Sequence, residues 1–239
     1  MTLLKILKRE KDTRYTNGIY KRVQVLFTHN SNRIEGNQLT LEQTRSIFEY
    51  NTIDISSNIL NINDIIETSN HFQCIDYIID AANKKLTESI IKKLHKILYT
   101  GINLQNREWF KIGEYKKLPN TISDIETTTP EDTPKAVKNL LLQYNNKKII
   151  SINDIIDFHV SFERIHPFQD GNGRVGRLIM FKECLKHNIV PFIIEDELKQ
   201  YYYRGLREYK KEKGYLVETC LAAQDKFKKY LDYFEISAL

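Results

Sequence analysis

The run His166-Pro167-Phe168-Gln169-Asp170-Gly171-Asn172-Gly173-Arg174-Val175-Gly176-Arg177 sets a titratable base, a carboxylate, flexible glycines and two arginines within twelve residues. Its flanks decide the fold. Upstream, Ile152, Ile155, Ile156, His159 and Phe162 recur at helical spacing, and Ser151-x-x-Asp154 opens that segment in the manner of a capping box. Downstream, Val175 to His187 reads as a second helix. The motif is therefore a tight connection between two helices. Pro167 ends the first, and the N–H groups of Asn172, Gly173 and Arg174 open the second, an end that attracts anions.

Each residue type suits phosphate chemistry. Gly171 and Gly173 lack a Cβ, so the backbone can turn with positive φ and approach a bulky anion as a nest of N–H donors. Asp170 supplies one hard oxygen ligand, enough for Mg²⁺ shared with phosphate oxygens and water. Arg174 and Arg177, three apart on a helix, share a face and can grip phosphates bidentately. His166, with an ordinary pKa of about 6.5, can take a proton from an attacking hydroxyl near neutral pH. The GxxxxGK[ST] pattern is absent and no strand precedes the run, which excludes a P-loop.

These twelve residues fit HxFx(D/E)GNGRxxR, the signature of Fic-domain proteins, and the chain resembles that family. The resemblance implies an all-α Fic-fold helical bundle with a small β-hairpin flap, which transfers AMP from ATP to a Ser, Thr or Tyr hydroxyl of a target protein and releases diphosphate. Carried over by position, it makes His166 the base and Asp170 the Mg²⁺ ligand. The phosphate-binding stretch is Gly171, Asn172, Gly173, Arg174, Val175, Gly176 and Arg177, with Arg177 reaching the γ-phosphate.

A second match lies far upstream. From Ile19 to Glu35 the pattern is helical, and Gly36 sits where a left-handed cap belongs. Ser31-Asn32-Arg33-Ile34-Glu35-Gly36 matches the family's inhibitory motif (S/T)xxxE(G/N). The resemblance is to the class carrying its inhibitory helix, here about residues 19–36, in the same chain; it pairs Glu35 with Arg177. While Glu35 neutralises Arg177, the γ-phosphate loses its partner and is repelled, and misplacement by about an ångström costs on the order of a hundredfold in rate.

The rest of the chain frames these motifs. Residues 1–18 read as a charged lead-in. Helices are predicted from Thr40 to about Tyr50, from Asn63 to Ala82 and from Glu88 to Tyr99, and Asn51 to Ile62 reads as a loop. His71 is taken as structural, and His95 as a packed or surface residue rather than a ligand. Lys111 to Lys116 followed by Leu118 to Ile122 can form a hairpin, and the resemblance makes about 111–123 the flap, with Asn120, Thr121 and Ile122 at its tip over the nucleotide. The flap's edge would hold an extended segment of the target by strand addition. Thr133 reads as a cap before a helix from Pro134 to Tyr144. Helices beginning at Asp196 and near Tyr215 complete about eight. Tyr202 and Tyr203 resemble the family's paired aromatics at the adenine pocket, and core packing is the alternative. The segments expected are 1–100, 101–206 and 207–239.

The 239 residues, 41% of them hydrophobic, suffice for one large domain. Against 31 acidic residues stand 36 Lys and Arg, a net charge of +5 spread along the chain, which points to a solvated surface rather than nucleic-acid binding. Cys74, Cys184 and Cys220 form neither a disulfide framework nor a zinc pattern, which suits the cytoplasm. No signal peptide or membrane span is expected. The partners expected are a target protein, the chain itself included, and a second copy of the chain. Two alternatives stay open: removal of AMP with Glu35 activating a water, and a non-enzymatic basic module binding nucleic acid.

Overall fold

The computed structural model describes residues 1–54, 59–104, 108–122 and 125–237. In chain order the described elements are α1 (Leu3–Asp12), α2 (Ile19–Ile34), α3 (Leu41–Tyr50), α4 (Ile62–Asp80), α5 (Glu88–Leu98), β1 (Thr121–Ile122), β2 (Ile125–Glu126), α6 (Thr133–Asn145), α7 (Ile152–Ile165), α8 (Asn172–Lys186), α9 (Lys199–Glu208) and α10 (Gly214–Tyr233). A 3₁₀ turn at Asp196–Leu198 leads into α9.

Helix α8 is the axis. Thirteen of its 15 residues are buried, Arg174, Arg177, Lys182 and Glu183 among them, and α1, α2, α4, α5 and α7 all touch it. The main hydrophobic cluster runs from Leu4 to Ile236 through Phe27, Ile78, Leu94, Phe162, Leu178 and Phe227. It draws on all three segments expected from the sequence, so they share one core. A second cluster, with Ile156, Met180, Tyr202 and Leu216, joins α7 and α8 to α9 and α10. At the far end of α8, Lys182 is wholly buried; Nζ donates to the carbonyls of Ala82 (3.2 Å) and Lys84 (2.8 Å) and pairs with Glu183 (2.6 Å). Glu183 also accepts from the Tyr144 hydroxyl at 3.0 Å. These bonds lock the ends of α4 and α6 to α8.

Side-chain caps mark where α3, α4, α5 and α7 begin. Thr40 with Gln43 and Ser151 with Asp154 make complete capping boxes. Three expectations are corrected. The lead-in is largely helix α1, whose Leu4, Ile6 and Leu7 join the core and whose Glu10 accepts from the N–H of Tyr20 at 2.8 Å. Thr133 is the first residue of α6 rather than its cap; its hydroxyl donates back to the Thr129 carbonyl at 2.7 Å. The hairpin is shifted: Lys111 to Lys116 forms turns, and the paired strands are β1 and β2, with Thr121 opposite Glu126 and Ile122 opposite Ile125. Thr121 and Ile122 are consequently the first strand and not the tip, and residues 123–124 lie outside the described residues.

Candidate active site

Helix α7 ends because His166 takes a left-handed conformation, φ 51° and ψ 60°, which turns the chain toward Pro167. The loop then closes on itself. Phe168 is fully buried and stacks on His95 with ring centroids 4.0 Å apart. Its N–H donates to Asn172 Oδ1 and its carbonyl accepts from Asn172 Nδ2, both at 2.8 Å. The Asn172 side chain therefore holds the loop, and its backbone N–H lies in the first turn of α8. Gly171 caps α8 with φ 78°, and a Cβ there would come within 2.7 Å of the Tyr99 ring. Only glycine fits.

His166 is largely buried, with a 19% exposed side chain. Burial drives its pKa down to about 4; Lys116 adds to this, while the Glu163 carbonyl, Asp170 and Glu35 oppose it. The imidazole is thus neutral at physiological pH. Nδ1 lies 3.2 Å from the Glu163 carbonyl, which selects the tautomer with its proton on Nδ1 and leaves Nε2 as the free base. For Asp170, burial pushes the carboxyl up, but the Arg174 charge, a hydrogen bond with Tyr99 and the Gly171 N–H outweigh it and hold the pKa below the ordinary value.

Both arginines are buried, and both are engaged by acids. Arg177 Nη2 meets Glu35 Oε1 at 2.7 Å and the Ser31 carbonyl at 2.9 Å, and Nε donates to Ser31 Oγ at 3.1 Å. Glu35 stands at the end of α2, followed by Gly36 at φ 100°. Its carboxylate lies directly over Gly173, where a Cβ would collide with Oε1. Arg174 Nη1 pairs with Glu67 Oε2 at 2.6 Å, and Nη2 donates to the Tyr99 hydroxyl at 2.9 Å. Among the described residues, Arg174 Nε and Arg177 Nη1 are buried without a hydrogen-bond partner.

The site thus gathers His166, Asp170, Gly171, Gly173, Arg174 and Arg177 with Ser31 and Glu35. Other candidates stand elsewhere. Val175 is fully buried in the core, and Gly176 is a packing point where a Cβ would lie within 2.8 Å of His159 and Glu163. Tyr202 is 1% exposed and its hydroxyl meets His159 Nε2 at 2.6 Å, so its ring backs Arg177 from inside the core and has no face open to a base. Tyr203 is 41% exposed, bonds to the Ile34 carbonyl at 3.2 Å and borders an open groove of about 920 Å³ with Arg33, Gln38, Lys199 and Arg204. His71 and His95 pack in the core as expected, His71 against the Thr28 hydroxyl at 3.0 Å. Asn120 is tied by Nδ2 to the Phe168 carbonyl at 3.0 Å.

Sequence reasoning missed Glu67, Tyr99 and Glu163. The sequence trace of Glu67 is the ExxNH-like run Glu67-Thr68-Ser69-Asn70-His71, whose Thr68, Asn70 and His71 are buried on α4 beside Phe72, Cys74 and three isoleucines. Glu163 is a buried carboxyl raised to about 8, chiefly by burial, with Glu35 adding to the rise and Arg177 opposing it. No group of three or more His, Cys, Asp or Glu placed for a metal occurs among the described residues. Asp170 alone fits an ion that takes its remaining ligands from phosphate and water. No helix among them is long and apolar enough to cross a membrane.

Residues 85–184 match the Fic/DOC family. The chain is 27% identical over 183 residues to the Protein adenylyltransferase Fic of Nematostella vectensis, covering 75% of this chain and 42% of that protein. To the Protein adenylyltransferase fic-1 of Caenorhabditis elegans it is 25% identical over 191 residues, covering 76% and 35%. The chain thus spans less than half the length of these curated relatives. In fold it is similar to a Fic-domain-containing signaling protein from Bacteroides thetaiotaomicron, with TM-score 0.75 and 24% identity over 99% of this chain and 98% of the other. C. elegans Fic-1 superposes with TM-score 0.76 and 19% identity over 97% and 72%. The match over residues 85–184, the closed loop between α7 and α8 and the all-helical frame around it make this stretch of the chain similar to the Fic/DOC family.

Proposed function

We propose that the chain is a protein adenylyltransferase, moving AMP from ATP to a hydroxyl of a target protein, and that Glu35 holds it in a self-inhibited state. The observation that carries this reading is the 2.7 Å ion pair of Glu35 with Arg177, set over Gly173 at the start of α8. A triphosphate laid on α8 needs the same guanidinium and the same N–H groups. The unpartnered donors Arg174 Nε and Arg177 Nη1 are what phosphate oxygens would satisfy. The names of the relatives from Nematostella and C. elegans support the same reaction class.

In this reading the backbone N–H groups at the head of α8 and Arg174 hold the α- and β-phosphates, and Arg177, once free, holds the γ-phosphate. Asp170 would hold Mg²⁺, which supplies charge neutralisation on the phosphates. His166 Nε2 accepts the proton as the target oxygen attacks the α-phosphorus and diphosphate leaves. The edge of the β1–β2 hairpin offers backbone groups to an extended target strand. The open groove beside Tyr203 is the side from which the base would be stacked.

The test is transfer of label from α-labelled ATP with Mg²⁺ to the chain itself and to lysate proteins. Glu35→Gly should raise labelling at least tenfold, and adding His166→Ala should return it to background. Equal labelling by Glu35→Gly and the unaltered chain counts against the reading. The 29% exposure of Glu35 also favours a second activity, water-assisted removal of AMP from a modified protein. Glu35→Gln would abolish that removal.

A further inference from the structure

Lys116 is only 3% exposed, and its ammonium uses all three donors inside the protein. Nζ lies 2.7 Å from Asn120 Oδ1, 2.7 Å from Thr127 Oγ1 and 3.1 Å from the Ile165 carbonyl. Asn120 immediately precedes β1 and Thr127 immediately follows β2, so both arms of the hairpin meet at this one charge. Thr127 Oγ1 also donates to the Asn120 carbonyl at 2.8 Å, closing the base of the hairpin. Ile165 is the last residue of α7, next in the chain to His166.

The junction continues as a seam. The N–H of Lys116 donates to the Pro167 carbonyl at 2.8 Å, and Asn120 Nδ2 to the Phe168 carbonyl at 3.0 Å. Leu118 and Gln169 exchange bonds of 3.2 and 3.4 Å. Burying an ammonium is costly, and burial here lowers its pKa to about 8. A seam made only of backbone bonds would avoid that cost. What the charge adds is a single point referring both strands to the end of α7.

We propose that Lys116 is a positioning residue that sets the distance between the β1–β2 hairpin and His166, and so the register of an acceptor segment against the base. The inference rests on the adenylyltransferase reading above. In that reading the phosphates of ATP are held by residues 170–177, so losing Lys116 should misplace the acceptor hydroxyl while leaving nucleotide binding intact. An error of about an ångström between oxygen and base is enough to cost on the order of a hundredfold in rate.

The experiment compares Lys116→Met and Lys116→Arg in the Glu35→Gly chain, measuring self-labelling by ATP with Mg²⁺ as ATP is varied. Lys116→Met should lower kcat at least tenfold while KM for ATP stays within about twofold, and Lys116→Arg, which keeps the charge and the donors, should recover most of the loss. Thr127→Val, removing one acceptor at nearly constant volume, should show the same split more weakly and serves if Lys116→Met fails to fold. An unchanged kcat in a folded Lys116→Met chain, or a loss confined to KM for ATP, overturns the inference. Amide hydrogen exchange on Lys116→Met with Glu35 in place judges it independently of activity. Faster exchange in both 116–122 and 166–169 supports the seam, and unchanged exchange in both refutes it. Failure of the Glu35→Gly parent to label would instead defeat the functional reading, leaving the exchange result to decide on Lys116.

Discussion

Tyr99 shows how one hydroxyl can serve two charges. It accepts from Arg174 Nη2 at 2.9 Å and hydrogen-bonds to Asp170, whose carboxylate it helps keep ionised. Tyr99→Phe removes this bond and leaves the ring that fills the space over Gly171. A hydrogen bond to a charged group contributes about 1.5–3 kcal/mol. In the Glu35→Gly chain, Tyr99→Phe should therefore raise the Mg²⁺ concentration for half-maximal labelling by about tenfold or more, read from a Mg²⁺ titration. The contacts of Tyr99, Glu67 and Lys116 with the motif were not legible in the sequence for one reason: each reaches it from a segment far away in the chain, Tyr99 across 75 residues. The twelve-residue motif was legible because its chemistry is contiguous. Glu35 was legible because its motif is contiguous and sits at a helix end marked by Gly36. Val175 and Tyr202 were over-read, since a motif or an aromatic pair does not reveal which side of a helix faces the core.

At the scale of elements, the contact between α7 and α8 decides whether the site exists at all. Gly176 lets α8 approach His159 and Glu163 closely, and a methyl there would need about an ångström of extra room. Gly176→Ala should destabilise the fold by about 1–3 kcal/mol, a typical cost of overpacking, seen as a lower urea midpoint with the slope unchanged. Helices α3, α5 and α7 could be read in advance because Thr40, Thr87 and Ser151 each cap their own first turn. Helix α1 was obscured by Lys5, Lys8, Arg9 and Lys11, which hide an apolar stripe of Leu4, Ile6 and Leu7. Strands of two residues are too short to show any alternation, so β1 and β2 could be expected as a hairpin but not placed.

For the whole molecule, the buried histidines govern the response to acid. Burial lowers the pKa of His95 and His166 to about 4 and of His159 to about 3, and holds His71 well below its ordinary 6.5. Between pH 6.5 and about 4 the unfolded chain binds protons at these four positions that the folded chain does not, so stability falls as pH drops through that window. Glu163, raised to about 8, acts in the opposite sense from pH 8 down to about 4.5, and the raised carboxyls of Glu67 and Asp76 act with it, while the lowered His29 and His187 add to the four buried histidines. Urea midpoints measured from pH 7 to 4.5 should decline steadily, and a flat profile would show that the histidines are not held neutral in the fold.

Glu35 and Arg177 lie 142 residues apart on a single backbone. Their encounter is therefore unimolecular: dilution cannot separate them, and crowding cannot drive them together. Under the self-inhibited reading proposed above, whatever releases Arg177 acts on the last turn of α2.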